Sequence, residues 1–431
     1  MAGFDPAAAT AAHLSAMSPQ AMAKAVDYTH QQHWLLLGGA LVSILVAWII
    51  LKTGLLRRIQ AGMERNKPRP VSTSFVLPLV YAAISAVLGL PWAIYSGWWV
   101  EKKFGLTTQP LAGWLSEHLI KAVIGTVVTA LFFWAVYALL RRARRTWWLW
   151  GGVVVALFVG VFFTLAPLYL EPIFNKYTPA PPGPMRDAVV TMAKANHVPS
   201  DKIYIYNGSK QSTRYTANVS GMFGSARVAM SDTMTAKGAD VAEVRGVLGH
   251  EMGHYVHQHG LILMGGFGVL AAVLFWLTGV LFPVFARLMG AKGVAGIADP
   301  SGFPVLMATL AVVQLIATPA ANTLTRFTEA DADAFSMEAS HEPDGLSKAL
   351  VKTAEYRAPN PTALEEVLFY DHPSVSHRVR AAMDWKAKHL ELAEKTAAED
   401  AALEAKVKAQ GALESGPAAA PAGTPTAAKK P

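Results

Sequence analysis

His250-Glu251-Met252-Gly253-His254 sets two imidazoles four residues apart, so on a helix both reach a single ion from one face. Ala242-Glu243-Val244-Arg245-Gly246-Val247-Leu248 precedes the motif and can run helically into it. Glu251 projects beside the two histidines without completing their ligand set. That geometry suits a carboxylate that takes a proton from a water whose pKa a zinc ion has lowered to about 7. A short pattern of this kind also arises by chance, so the chemistry needs a third protein ligand, with one coordination position left open for water and a substrate carbonyl. The chain contains no cysteine, which excludes thiolate ligands and disulfides and leaves His, Asp and Glu as the available donors.

Glu329 is the best candidate for the third ligand. It lies in Asn322-Thr323-Leu324-Thr325-Arg326-Phe327-Thr328-Glu329-Ala330-Asp331-Ala332-Asp333-Ala334, on a predicted helix. Asp333, one turn further on the same face, can accept a hydrogen bond from the remote nitrogen of a ligand histidine and fix its tautomer. Without the upstream motif, Glu329, Asp331 and Asp333 read as a solvated acidic face. His257 and His259 follow closely enough to invite a third-histidine arrangement, but on one continuous helix the short spacing strains it, so both are expected to support the ligands or the fold. His30 and His33 are also paired at helical spacing, and packing at the membrane interface is their expected role.

These residues must be positioned by an unusually apolar chain. It has 431 residues, 52% of them hydrophobic, clustered in long runs. Six stretches can cross a hydrocarbon core of roughly 30 Å, which takes about 20 helical residues: Trp34–Leu51, Phe75–Tyr95, Ile120–Leu140, Trp147–Leu170, Leu261–Phe285 and Pro304–Ala321. Tryptophans and tyrosines near several ends fit an aromatic belt. The first run has no basic region before it and no convincing cleavage site after it, so it reads as a retained span rather than a leader. The net charge of +8 gathers beside apolar segments, at Arg57-Arg58 and at Arg141-Arg142-Ala143-Arg144-Arg145, which favours membrane lipids over nucleic acid as the partner.

The polar segment Glu171–His259 reads as a water-facing domain, with a helix over Ala188–Ala195 and strands at Lys202–Tyr206 and Ala226–Met230. Helices are predicted over Phe327–Ala339 and Asp344–Glu355, then a loop at Asp371-His372-Pro373-Ser374 and a helix from about Val375. The expected fold is mostly α: a polytopic helical membrane protein with about six transmembrane helices and a small α+β zincin-like catalytic domain. Residues 1–170 form a membrane domain of four spans, and 171–385 a zinc metallopeptidase domain with two more, at about 261–285 and 304–321. Residues 386–431 are helical, then disordered from Ser415 in an Ala/Pro-rich tail.

From about Trp34 to Met383 the chain resembles the integral-membrane CAAX prenyl protease family, of the type I or a-factor-converting kind. Val247–His254 is similar to the family's zinc helix, and Thr325-Arg326-Phe327-Thr328-Glu329 with Asp333-Ala334-Phe335 to its third-ligand segment. Glu101-Lys102-Lys103-Phe104-Gly105 and Glu171-Pro172-Ile173-Phe174-Asn175-Lys176-Tyr177-Thr178-Pro179 resemble two more specific segments. The resemblance implies one Zn²⁺ per chain facing a chamber between membrane helices, and a peptide or protein substrate, lipidated or membrane-associated, bound as an added β-strand. Thr216-Ala217-Asn218-Val219-Ser220-Gly221 is the matching strand, departing from the family pattern at Thr216 and Asn218; Ala217 and Asn218 are its substrate-binding candidates. Asp371–Arg378 resembles a segment in which the His and Arg line the active site. Carried over, His372 would stabilise the oxyanion, and Arg378 would position substrate or neighbouring carboxylates.

Two competing classes are a transporter or channel with a regulatory metal site and an inactive scaffold. The spans carry little internal charge, against a pathway. The retained Glu251 argues against a dead scaffold. Sidedness is open: the basic stretches at Lys52–Arg69 and Arg141–Arg145 place the zinc domain outside, whereas the resemblance implies a cytosolic opening. A bacterial cell (inner) membrane is the expected location.

Overall fold

The computed structural model describes residues 3–200, 202–221, 227–236 and 238–414. The tail from Ser415 and the expected strand residue Ala226 lie outside them. Helix α1 (Pro19–Thr53) begins at Ser18, whose hydroxyl accepts from the Ala21 N–H, and stops at Gly54 in the left-handed region at φ 65. Helix α2 (Pro70–Leu88) is shorter than the predicted span. Gly89 and Pro91 interrupt it, because proline has no N–H to continue the ladder, and the chain resumes as separate turns through Leu90–Ile94 and a π-turn at Tyr95–Trp99. Helices α3 (Leu111–Arg142) and α4 (Trp147–Leu165) complete the first group of spans, and a second π-turn at Ala166–Leu170 carries α4 out toward the polar segment.

The polar segment folds around a four-stranded sheet in the order β1-β2-β4-β3. Strand β1 (Tyr177–Pro179) runs antiparallel to β2 (Ile203–Tyr206), with helix α5 (Pro184–Ala195) between them in sequence. Strand β3 (Ala217–Ser220) lies antiparallel to β4 (Arg227–Ser231), and β4 pairs in parallel with β2. The order leaves β3 at an edge. Only β2 and β4 are legible from β-branched and aromatic content; β1 and β3 are too short and too polar.

Helix α6 (Val241–Val256) starts at a capping box in which Asp240 and Glu243 each bond the other's backbone N–H. Its Val244, Leu248 and Met252 bury against Val189, Met192, Ile203 and Val228 of α5 and the sheet. A single residue, Gln258 at φ 54, turns the chain into α7 (His259–Leu288). The sixth span, α8 (Phe303–Ser340), runs through Pro319 and continues past the predicted boundary at Ala321, so the span and the expected Phe327–Ala339 helix are one rod. Helices α9 (Pro343–Thr353), α10 (Val375–Lys388) and α11 (Leu390–Glu414) close the domain.

Among the described residues six helices are long and apolar enough to cross a membrane: α1 to α4, α7 and α8. They share a core of Leu77, Tyr137, Phe275, Phe303 and Leu306, while Trp34, Val87, Val269 and Leu288 stand exposed, as lipid-facing side chains do. At one end of the bundle Arg57 Nη1 donates to the Lys292 carbonyl at 2.9 Å, joining two inter-helix connections. At the other end, two carboxylates from the family-like segments tie the sheet domain down. Arg214 reaches Glu101 at 2.9 Å, and Arg227 reaches Glu171 at 2.6 Å.

Candidate metal centre

The helical period brings His250 and His254 to one face of α6, and α8 crosses that face closely because glycines line it. A Cβ on Gly253 would stand 3.1 Å from Ala332 Cα, and one on Gly249 3.0 Å from Ser336 Oγ. That approach carries Glu329 to the histidines. His250 Nε2 lies 3.2 Å from His254 Nε2 and 3.2 Å from Glu329 Oε2, and His254 Nε2 lies 3.5 Å from Glu329 Oε1. Ligand atoms around a tetrahedral ion with Zn–N bonds of 2.0–2.1 Å stand about 3.3 Å apart. The three side chains therefore frame a volume of the right size for one such ion.

Their electrostatics also fit a cation. Glu329 Oε2 is a buried acceptor with no well-formed hydrogen bond, although His372 Nε2 also approaches it at 3.1 Å. Burial disfavours charge on both imidazoles, but the neighbouring Asp333 and Glu329 carboxylates outweigh it at His250 and raise its pKa to about 10. Burial and the His250 charge lower His254 to about 4. The buried Glu329 carboxylate facing two imidazole nitrogens favours a cation among these atoms, the role a divalent ion fills. The donor set and spacing fit zinc.

Behind His250, Nδ1 meets Asp333 Oδ1 at 2.8 Å, and Arg378 grips the same buried carboxylate. Of the two tasks the resemblance offers Arg378, the guanidinium is committed to the neighbouring carboxylate: the side chain is buried and faces Asp333 rather than the strand edge. His372 sits at the mouth of the site, its Nδ1 2.8 Å from Asp371 Oδ1 and its Nε2 toward Glu329. Despite its own burial, Asp371 is held down to about 2 by His372, so it stays ionised and orients that ring.

Glu251 is beside the ligand set, with burial pushing its pKa up to about 7. Its Oε2 is 3.4 Å from the Val219 N–H, a link between α6 and the edge strand that no sequence pattern announces. Because Val219 N points away from β4, the free edge of β3 faces the candidate base. Ala217 lies two residues along the same edge, and Asn218 Oδ1 is buried without a partner. A cavity of about 710 Å³ opens here, bounded by Asn218, Val219 and His254 and by the membrane-helix residues Phe162, Phe163 and Leu261.

His257 and His259 fall outside the ligand set for a physical reason. The helix breaks between them at Gln258, so His259 comes up beneath His254, Nδ1 to Nδ1 at 2.9 Å, instead of beside the ion position. His30 and His33 are not among the converging donors. His33 stacks on Phe369 with centroids 4.0 Å apart, and His30 Nε2 gains a carboxylate from a distant segment, Glu365, at 3.5 Å.

Comparison with known proteins agrees with this architecture. The model of peptidase family M48 matches residues 180–386, and that of the CAAX prenyl protease N-terminal region, described as five membrane helices, matches 7–176. Within 7–176 this chain has four candidate spans among the described residues. The uncharacterized metalloprotease YhfN of Bacillus subtilis is 26% identical over 375 residues, covering 85% of this chain and 87% of the relative. The human CAAX prenyl protease 1 homolog is 24% identical over 362 residues, 73% of this chain and 74% of its own. The crystal structure of S. mikatae Ste24p superposes with a TM-score of 0.70 at 19% identity, over 85% of this chain and 90% of that one, and so shares the fold.

Proposed function

Because the chain belongs to the membrane-embedded M48 peptidases of the CAAX prenyl protease kind, and is thus a multi-pass membrane metallopeptidase, we propose that His250, His254 and Glu329 hold one Zn²⁺ and that Glu251 is the general base of peptide-bond hydrolysis. The observation that carries the reading is the convergence of three ligand atoms from α6 and α8 at tetrahedral spacing, beside a buried carboxylate and an open strand edge. When bound, zinc supplies Lewis acidity toward the scissile carbonyl and acidifies the attacking water.

The chain's own groups do the rest. Glu251 accepts the proton of the attacking water and delivers it to the leaving amine. The outer edge of β3, from Ala217 to Val219, pairs with an extended peptide and presents its scissile bond to Glu251. His372, oriented at Nδ1 by Asp371, donates from Nε2 toward the developing oxyanion when both ring nitrogens carry a hydrogen. Asp333, held by Arg378, fixes the His250 tautomer that leaves Nε2 free as a ligand.

The substrate reading follows from the cavity beside the strand edge. Phe162, Phe163 and Leu261 give it an apolar wall continuous with the membrane helices, which suits a lipidated or membrane-associated peptide. The relatives named CAAX prenyl proteases support the same class. The bacterial relative supports the cell (inner) membrane of a bacterium as the location.

The test is Glu251→Gln in the purified full chain with a reporter peptide. Hydrolysis should fall at least about 100-fold, the usual contribution of a positioned general base, while zinc content stays unchanged. Undiminished hydrolysis would remove Glu251 from the chemistry.

A further inference from the structure

A second group of metal-ligating side chains converges close to the first: His257, His259 and Asp331, with one donor atom of each within 4.8 Å of the others. The corner at Gln258 assembles it. Helix α6 ends as His257 arrives, the left-handed Gln258 reverses the direction of the chain, and α7 starts with His259. Both rings then face the same oxygen on α8. His257 Nδ1 contacts Asp331 Oδ2, and His259 Nε2 lies 3.0 Å from it. The His259 side chain is 3% exposed, against 38% for His257 and 43% for Asp331, so the group has a buried back and a front open to water.

We propose that His257 Nδ1, His259 Nε2 and Asp331 form a second, weaker site for a borderline divalent cation such as Zn²⁺, and that its occupation opposes metal binding and catalysis at His250, His254 and Glu329. The opposition rests on the zinc reading given above; the second site does not. Two imidazole nitrogens and one carboxylate oxygen are a sufficient zinc donor set, with water completing the coordination from the open side. A purely structural role for Asp331, pinning His259 beneath His254, needs only the His259 bond. It gives no task to the half-exposed His257, which is aimed at the same oxygen. Weaker binding follows because the ion must displace two hydrogen bonds that Asp331 already accepts.

The opposition comes from counting protons along the chain of rings. A neutral His254 that offers Nε2 to a metal carries its hydrogen on Nδ1 and donates it to His259 Nδ1, 2.9 Å away. His259 then carries its own hydrogen on Nε2, donated to Asp331. A cation on His259 Nε2 needs the lone pair there, which moves that hydrogen to Nδ1, directly facing the N–H of His254. Two donors cannot share that contact, so one ring must turn, and His254 leaves its best orientation. By linkage each metal weakens the other to the same degree.

The experiment is zinc uptake by the detergent-solubilised full chain across buffered free Zn²⁺, read by metal analysis, with reporter-peptide hydrolysis measured in parallel. The wild-type chain should take up one tight zinc and a second, weaker one, and hydrolysis should fall about fivefold or more as the second binds, the lower range of usual coupling. His257→Ala and Asp331→Asn should each bind one zinc only, and His257→Ala should resist inhibition by excess zinc. Glu329→Ala should lose the tight zinc and retain the weak one, which separates failure of the catalytic reading from failure of this one. Saturation of the wild-type chain at the tight zinc alone, or a second zinc that persists in both His257→Ala and Asp331→Asn, would overturn the second site. A second zinc that binds without loss of hydrolysis would overturn the opposition.

Discussion

Arg378 holds Asp333 through two parallel bonds, Nε to Oδ2 at 2.6 Å and Nη2 to Oδ1 at 2.7 Å, and the carboxylate so fixed meets His250 Nδ1 at 2.8 Å. The pair lies inside the protein, so its geometry is set by packing between α8 and α10 rather than by solvent. The proposed ligand His250 is thereby steered from a helix with which it has no sequence proximity.

That chain of contacts predicts a graded loss. Asp333→Asn keeps the shape but weakens the acceptor, and metal affinity should fall by about 10- to 100-fold. Arg378→Ala leaves the buried Asp333 carboxylate without its cationic partner and with only the His250 bond, and should cost about 3–5 kcal/mol of stability. Thermal melts with metal analysis check both. An Asp333→Asn chain with wild-type zinc affinity would show that the His250 tautomer is fixed elsewhere.

Removing the metal should destabilise as well as inactivate. A ligand present at about 1,000 times its dissociation constant stabilises by about 4 kcal/mol, so phenanthroline should lower the melting temperature of wild type and of Glu251→Gln alike. Glu329→Ala, lacking the third donor, should show little further shift on chelation. A melt of the wild-type chain indifferent to chelator and to zinc readdition would speak against a metal held between α6 and α8.

The β3 edge gives a backbone prediction. Val219 N points outward to Glu251, so Ala217 N, two residues away, shares that edge. Ala217→Pro removes an outward donor without breaking the β4 ladder. The KM for extended peptides should rise about fivefold or more, for the one hydrogen bond of about 1 kcal/mol that is lost, with zinc content unchanged. An unaltered KM would mean that substrate does not pair with β3.

A pH dependence follows from a buried acid pair outside the candidate metal site. Glu342 and Asp400 are 2% and 5% exposed, and Arg245 Nη1 donates to Asp400 Oδ1 at 2.7 Å. Burial and the Asp400 charge push Glu342 well above its ordinary value of 4.5. A folded pKa above the unfolded one means that the stabilisation is fully present below about pH 4.5 and is lost as pH rises through the folded value. Glu342→Gln should flatten that decline and make the chain more stable at alkaline pH by about 1–3 kcal/mol. Urea melts across pH that show parallel curves for wild type and variant would refute it.

The sequence alone determined the parts of this protein that depend on local periodicity. Unbroken apolar length marks six spans because a bilayer tolerates no unpaired backbone, and only a helix of that length pairs its own. Spacing at i and i+4 put His250 and His254 on one face because the helical repeat is fixed. Glu329 was legible as a candidate third ligand only with the upstream His250-Glu251-Met252-Gly253-His254 motif beside it, since an acidic helix face by itself has a plainer explanation. The tertiary structure decided everything that joins distant segments. It showed that the sixth span and the Glu329 helix are one rod, that Arg378 closes on Asp333, that Glu365 reaches His30, and that the corner at Gln258 turns His257 and His259 onto Asp331. Contacts of that kind follow from how helices pack and cross, and the glycines that let α6 and α8 approach carry no signal of which helix will lie against them.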